Sequence, residues 1–174
     1  MIELYKPDIY KRDIYSIDYK KIKSMGIKCI LFDLDNTLVP YYRNRPSRKL
    51  KDFIERLKDM GFKVILFSNS NKKRLTPFKN ILELDCSASS RKPSEKKFRK
   101  VLAEYKFDQS EVVIIGDQII TDVFGGNRIG ILTILVKPIS KKEPIWTKIN
   151  RIRERKKVRK LERMGIFKRG EYYE

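Results

Sequence analysis

The chain has 174 residues, of which 41 are Lys or Arg and 22 are Asp or Glu, so its formal net charge is +19. This length suggests one domain, and a hydrophobic content of 41% is too high for a chain that is disordered throughout. The sequence contains no histidine, which excludes Ser-His-Asp and Cys-His sites, histidine general bases and zinc sites with histidine ligands. Any catalysis must therefore use carboxylates, hydroxyls, amides, lysines or the two cysteines.

The two cysteines, Cys29 and Cys86, are far apart in sequence, and neither belongs to a Cys-x-x-Cys pair. We expect them to be reduced, as in a cytosolic protein, without a disulfide or a zinc site. The N-terminus lacks the pattern of a secretory signal, and the longest apolar stretch, Ile129–Val136, is far shorter than the roughly 20 residues that span a bilayer. The sequence therefore indicates a cytoplasmic protein, either soluble or peripheral to a membrane.

Residues 1–27 form a segment rich in Tyr and Lys, in which we expect a helix over Tyr19–Met25. From residue 28 to residue 136, short apolar runs alternate with helical patterns. This alternation is typical of an α/β fold with a parallel sheet covered by helices on both faces. The predicted strands are Cys29–Phe32, Val64–Phe67, Leu84–Ala88, Val112–Ile115 and Ile131–Val136.

Three helices are predicted between these strands. The first lies between Pro46 and Gly61, where apolar residues recur at helical spacing. The second covers Lys72–Leu82, with a break or a late start expected at Pro77. The third begins after Ser94, a residue type that favours the N-cap position.

The tail, residues 141–174, differs in composition because it holds 13 Lys or Arg and 5 Glu. Pro144 can begin a helix with a narrow, interrupted apolar stripe. The residues of this stripe are Ile145, Ile149, Ile152, Val158 and Leu161. The pattern suits a helix that packs on the domain by one edge, and equally a membrane-surface or nucleic-acid-binding helix. We expect residues 1–140 to form the domain and the tail to be a basic helical extension.

Polar motifs follow three of the predicted strands and precede one helix. They are Asp33-Leu34-Asp35-Asn36-Thr37, Ser68-Asn69-Ser70-Asn71, Arg91-Lys92-Pro93 and Gly116-Asp117-Gln118-Ile119-Ile120-Thr121-Asp122. Ligands of open α/β sheets bind at the carboxyl ends of the strands. Of two neighbouring carboxylates, one can attack as a nucleophile while the other transfers a proton. Serine and lysine can hold a phosphate, and the aspartates suit a hard cation such as Mg²⁺.

The four motifs, in this order, resemble those of the haloacid dehalogenase-like (HAD) phosphatases. Nearly the whole chain, from Lys-Pro-Asp-Ile-Tyr at residues 6–10 to the basic tail, is similar to the YqeG-type phosphatases of HAD subfamily IIIA. That family is itself similar to the mitochondrial phosphatidylglycerophosphate phosphatase. The resemblance implies a Rossmann-like HAD fold and Mg²⁺-dependent hydrolysis of a phosphomonoester through an aspartyl-phosphate, in phospholipid biosynthesis.

The resemblance also implies roles for the motif residues. Asp33 corresponds to the nucleophile, Asp35 to the general acid and base, and Lys92 to the cation that neutralises the nucleophile and the transferred phosphoryl group. The Mg²⁺ ligands correspond to Asp33, Asp117 and the main-chain carbonyl of Asp35.

The remaining motif residues have binding or supporting roles by the same resemblance. Ser68 corresponds to the phosphate-binding hydroxyl, and Asn69 and Thr37 are secondary candidates beside it. Asp122 corresponds to an outer-sphere or orienting acid, with Gln118 as a supporting residue. Two segments differ from the family pattern, residues 40–45 and 86–90.

The spacing of the motifs leaves no room for a cap domain. One predicted helix fills most of the interval from Asp33 to Ser68, and another helix fills most of the interval from Ser68 to Lys92. An open site suits a large or surface-bound substrate. We expect phosphatidylglycerophosphate at an anionic membrane, to which the basic tail binds. The alternatives are a phosphatase of nucleic-acid ends or of another soluble phosphoester, and a non-catalytic RNA- or ribosome-binding protein. The sequence does not determine the oligomeric state.

Overall fold

The structure is a computed structural model that describes residues 2–142 and 145–174. Pro144, the expected start of the tail helix, lies outside the described residues, and so do the side chains of Ile145 and Ile149.

In the described residues, six parallel strands form the sheet. In chain order they are β1 (Ile9–Lys11), β2 (Cys29–Phe32), β3 (Lys63–Phe67), β4 (Asp85–Ser87), β5 (Val112–Gly116) and β6 (Leu132–Val136). Their spatial order is β1-β6-β5-β2-β3-β4. The five predicted strands and the parallel α/β fold are confirmed.

Helices connect the strands and flank the sheet. They are α1 (Tyr19–Ser24), α2 (Arg48–Asp59), α3 (Lys72–Leu82), α4 (Glu95–Tyr105), α5 (Phe124–Ile129) and α6 (Ile145–Arg163). A π-helical turn, Ile119–Val123, precedes α5. None of the helices in the described ranges is long and apolar enough to cross a membrane.

The break expected at Pro77 is wrong, because α3 continues through this residue. The side chain of Asn71 caps the helix by accepting a hydrogen bond from the amide of Arg74 at 2.9 Å. Leu75 and Phe78 on the inner face are completely buried. The packing of this face outweighs the one backbone hydrogen bond that a proline cannot donate.

Side chains of β2 alternate between two apolar cores on opposite faces of the sheet. Phe32 packs in one core with Leu50 of α2, and Leu31 packs in the other with Phe98 of α4. Both faces are therefore covered, as expected for strands that are apolar at every position.

The first strand and the tail meet at one edge of the sheet. Strand β1, which the sequence pattern did not predict, pairs with β6, and Tyr10 in β1 forms an additional bridge with Tyr173. Val158 and Leu161 of α6 are buried in a third apolar cluster around Tyr10, whereas the side chain of Ile152 is exposed. One edge of α6 therefore packs on the domain, which favours the first interpretation of the apolar stripe.

Candidate active site

Three central strands end at the same level. Phe32 of β2 is in register with Leu66 of β3 and with Ile115 of β5. The acidic residues Asp33 and Asp117 follow two of these strands, so both lie at the carboxyl edge of the sheet, where α/β proteins bind ligands.

Lys92 joins two acidic residues in the interior. Its Nζ atom lies 2.8 Å from Oδ1 of Asp33 and 2.6 Å from Oδ1 of Asp122. Burial lowers the pKa of Lys92, but the charges of Asp122 and Asp33 more than offset this effect and hold the pKa above its usual range. Lys92 is therefore a buried, permanently charged ammonium group between two carboxylates.

The side chain of Asn69 fixes the main chain at Lys92. Its Oδ1 accepts a hydrogen bond from the amide of Lys92 at 2.7 Å, and its Nδ2 donates to the carbonyl of Lys92 at 3.1 Å. Asn69 thus positions the lysine, and its predicted contact with phosphate stays a prediction.

The carboxylates of Asp33 and Asp117 are buried at the centre of the site. Burial raises the pKa of Asp33 to about 6, although the charge of Lys92 opposes this shift. Burial also raises the pKa of Asp117 to about 7, against the opposing charge of Arg151. The hydroxyl of Thr37 donates a hydrogen bond to Oδ1 of Asp117 at 3.1 Å. The predicted contact of Thr37 with phosphate stays a prediction.

The donor atoms at the centre fit an oxygen-ligated cation. One carboxylate oxygen each of Asp33, Asp117 and Asp122 lies within 4.8 Å of the others. Among the described residues, these three buried carboxylates form ion pairs with only two basic side chains, Lys92 and Arg151. Among the described side chains, Gln118 has a buried Oε1 without a hydrogen-bond partner. A surplus of negative charge and of oxygen donors is what Mg²⁺ requires.

A glycine makes room for this cluster. A Cβ atom at Gly116 would lie 2.2 Å from Cγ of Asp122, so a larger residue would displace the carboxylate. Asp122 is also held by the amide of Gln118, which donates to its Oδ2 at 3.1 Å.

The carboxylate of Asp35 has its own set of partners. Arg74 donates to Oδ1 through Nε at 3.0 Å and Nη2 at 2.7 Å, and the hydroxyl of Ser70 donates to Oδ2 at 2.6 Å. Arg74 also donates to the carbonyl of Arg43, which ties the loop after β2 to the site. Arg74 was not predicted from the sequence, because nothing in the local pattern distinguishes it from its basic neighbours.

The tail also contributes to the site. Arg151 of α6 donates to the main-chain carbonyl of Asp117 at 2.8 Å and pairs with its carboxylate. Glu154, completely buried, accepts from the amide of Ile119 at 3.1 Å and pairs with Arg151 and Arg169. These residues were not predicted from the sequence, although a glutamate inside a basic stretch is a pattern that could indicate such a pairing.

A cavity of about 510 Å³ opens over these groups. The predicted site residues that line it are Asp33, Asp35, Ser68, Asn69, Lys92 and Gln118. The hydroxyl of Ser68 is buried and accepts from the amide of Ser70 at 3.2 Å, which leaves its own proton available to a ligand. The cavity thus presents two carboxylates, a cation and a hydroxyl to one ligand.

Comparisons with known proteins give the family. The family model described as "HAD-hyrolase-like" matches residues 89–143. The probable phosphatase YqeG of Bacillus subtilis (strain 168) is 36% identical over 163 residues, which are 94% of this chain and 95% of that protein. Phosphatidylglycerophosphate phosphatase 1, chloroplastic/mitochondrial, of Arabidopsis thaliana is 30% identical over 154 residues, and the match spans 79% of this chain and 42% of that protein.

A solved structure shows the same fold. The cobalt-bound deoxy-D-mannose-octulosonate 8-phosphate phosphatase of Haemophilus influenzae superposes with a TM-score of 0.55 at 16% identity, over 74% of this chain and 77% of that one. The family resemblance and the HAD-like Rossmann fold are therefore confirmed. With its sequence matched over almost the full length of YqeG, the chain belongs to the YqeG-type family of HAD-like phosphatases.

Proposed function

We propose that this phosphatase is a Mg²⁺-dependent phosphomonoesterase that works through an aspartyl-phosphate on Asp33. The observation that carries the proposal is the buried contact of 2.8 Å between Lys92 Nζ and Asp33 Oδ1, at the wall of an open cavity. A carboxylate that approaches a phosphate dianion meets like-charge repulsion. An adjacent ammonium group reduces this repulsion and stabilises the charge on the phosphoryl oxygens.

In the first step, a carboxylate oxygen of Asp33 forms a bond to phosphorus while the bond from phosphorus to the leaving oxygen breaks. Asp35 gives that oxygen a proton, so the alcohol leaves neutral. In the second step, Asp35 removes a proton from water, and the water oxygen forms a bond to phosphorus while the bond from phosphorus to Asp33 breaks. Inorganic phosphate leaves and the Asp33 carboxylate is restored. Arg74 and Ser70 orient Asp35 for both transfers.

The residues that would hold Mg²⁺ are Asp33, Asp117 and the main-chain carbonyl of Asp35. When bound, the cation would neutralise negative charge on the phosphoryl oxygens. Asp122 acts beside them by fixing Lys92, and the hydroxyl of Ser68 binds a phosphoryl oxygen.

For the substrate we propose phosphatidylglycerophosphate at an anionic membrane surface, which the protein reaches from the cytoplasm. Two relatives named phosphatidylglycerophosphate phosphatase 1 support this assignment; the chain spans 42% and 53% of their lengths. The net charge of +19 also favours an anionic surface. Residues 1–140 would form the phosphatase domain, and the tail would complete the site and supply basic charge.

The test is a phosphate-release assay with Mg²⁺ on wild type and Asp33→Asn. The substrates are phosphatidylglycerophosphate in anionic vesicles, oligonucleotides with terminal phosphates, and small phosphoesters. We expect wild type to release phosphate from the lipid and Asp33→Asn to release none. Release from nucleic-acid ends without release from the lipid would overturn the substrate assignment.

A further inference from the structure

A second cavity has one residue of the acidic cluster, Asp117, in its lining. It has a volume of about 630 Å³ and lies at the end of β6, between Tyr10 and the tail. Asp117 and Arg151 form part of its lining. Because the Asp117 carboxylate has an oxygen within 4.8 Å of one on Asp33, the second cavity begins close to the proposed nucleophile.

The lining of this cavity is strongly basic. Its five basic residues are Lys137, Lys141, Arg151, Arg155 and Arg169. Two of them are neutralised, since Arg151 pairs with Asp117 and Arg169 pairs with Glu154. In the part of the chain that the structure describes, no acidic side chain forms an ion pair with the other three. Among the described residues, the basic charge of this cavity thus exceeds the acidic charge.

The remaining lining offers apolar and aromatic contacts. Leu135, Pro138 and the ring of Tyr172 form part of the wall. Basic groups above an apolar wall suit an anion that is attached to a carbon chain, because the anion pairs with the cations while the chain contacts the wall.

We propose that this cavity binds a phosphodiester that belongs to the same substrate molecule as the phosphomonoester cleaved at Asp33. In phosphatidylglycerophosphate, a glycerol bridge joins these two phosphates. Lys and Arg are the side chains that bind phosphate oxygens most strongly. The inference rests on the proposed function and adds to it: the enzyme selects phosphomonoesters with a neighbouring diester, and simple sugar phosphates leave the cavity empty.

The test compares two double variants of the full-length protein. Lys137→Gln with Arg155→Gln removes two unpaired charges from the cavity. Lys156→Gln with Arg159→Gln removes the same charge from another surface of α6, since these two residues line a different depression. Thermal unfolding checks that both variants are folded.

Two soluble substrates isolate the effect of the diester. One is deacylated phosphatidylglycerophosphate, which has both phosphates and no acyl chains, and the other is glycerol 3-phosphate. We expect the ratio of their kcat/KM values to fall about tenfold in the cavity variant, since two exposed charge contacts are lost, and to stay at the wild-type value in the control. The same ratio of kcat/KM values in all three proteins would overturn the inference but leave the proposed function intact. An equal fall of this ratio in the cavity variant and in the control would have the same consequence.

A binding measurement tests diester binding in the cavity independently of turnover. Glycerophosphoglycerol has the diester but no cleavable phosphate, and calorimetry should show about tenfold weaker binding to the cavity variant than to wild type or control. If wild type releases no phosphate from these substrates or from phosphatidylglycerophosphate in vesicles, the proposed function fails, and this calorimetric result still decides whether the cavity binds a diester. Faster turnover of a 5′-phosphorylated dinucleotide than of the deacylated lipid would contradict the glycerol bridge.

Discussion

Arg151 and Asp117 are 34 residues apart in sequence, yet the guanidinium of Arg151 contacts both the carboxylate and the main-chain carbonyl of Asp117. The tail helix therefore reaches the centre of the candidate active site. In the tail, Arg151 and Arg169 pair with buried acids, whereas other basic residues such as Arg153 and Arg155 are exposed.

Replacement of Arg151 should destabilise the protein. Arg151→Gln leaves Asp117 and Glu154 buried with one cation fewer, and we expect the free energy of unfolding to fall by about 1–3 kcal/mol. Urea denaturation measures this change. Arg153→Gln, on the exposed face of the same helix, is the matched control and should have the stability of wild type. Equal stability of both variants would show that the pairing contributes nothing.

Metal binding and proton transfer should depend on two different aspartate side chains. Asp117→Ala removes a carboxylate from the buried cluster and should weaken Mg²⁺ binding at least tenfold. Asp35→Asn keeps the main-chain carbonyl, so its Mg²⁺ affinity should stay close to that of wild type while turnover is lost. Calorimetric titration with Mg²⁺ measures both affinities. An equal loss of affinity in the two variants would mean that the roles are misassigned.

The sequence predicted most of the fold and the central residues of the site. Apolar runs such as Cys29–Phe32 predict strands clearly. The polar motifs that follow them lie at the ends of parallel strands, and this position alone implies that the motifs lie close to one another. Strand β1 was missed because three residues carry no usable periodicity, and its pairing with β6 comes from the tertiary structure. Arg74 and Arg151 were missed because a sequence does not show which of its 41 basic residues face a buried carboxylate.

Arg74 should act as a positioning residue for Asp35. Arg74→Gln removes two hydrogen bonds to Oδ1 of Asp35, and we expect kcat to fall about tenfold or more because proton transfer depends on alignment. Arg74→Lys should recover part of the loss, since it restores one charged contact. Lys73→Gln, at the exposed neighbouring position, serves as the control. A change in KM alone would assign Arg74 to substrate binding instead.

The two cysteines should differ in reactivity. Burial raises the pKa of Cys29 to about 12, so at pH 8 its thiolate fraction is negligible. Cys86, in strand β4, is only partly buried. A maleimide should therefore label Cys86 first in the folded protein and label both in denaturant, as measured by mass spectrometry. Labelling of Cys29 at the rate of Cys86 would contradict the buried position of β2.

The most direct test of the mechanism is a search for phosphate bonded to Asp33. Wild type and Asp33→Asn are mixed with Mg²⁺ and phosphatidylglycerophosphate labelled in its terminal phosphate, and the reaction is stopped with acid within the first turnover. We expect wild type to carry the label on the peptide that contains Asp33 and hydroxylamine to remove it, whereas Asp33→Asn should neither carry label nor release phosphate. Phosphate release by Asp33→Asn within a few fold of the wild-type rate would contradict the account.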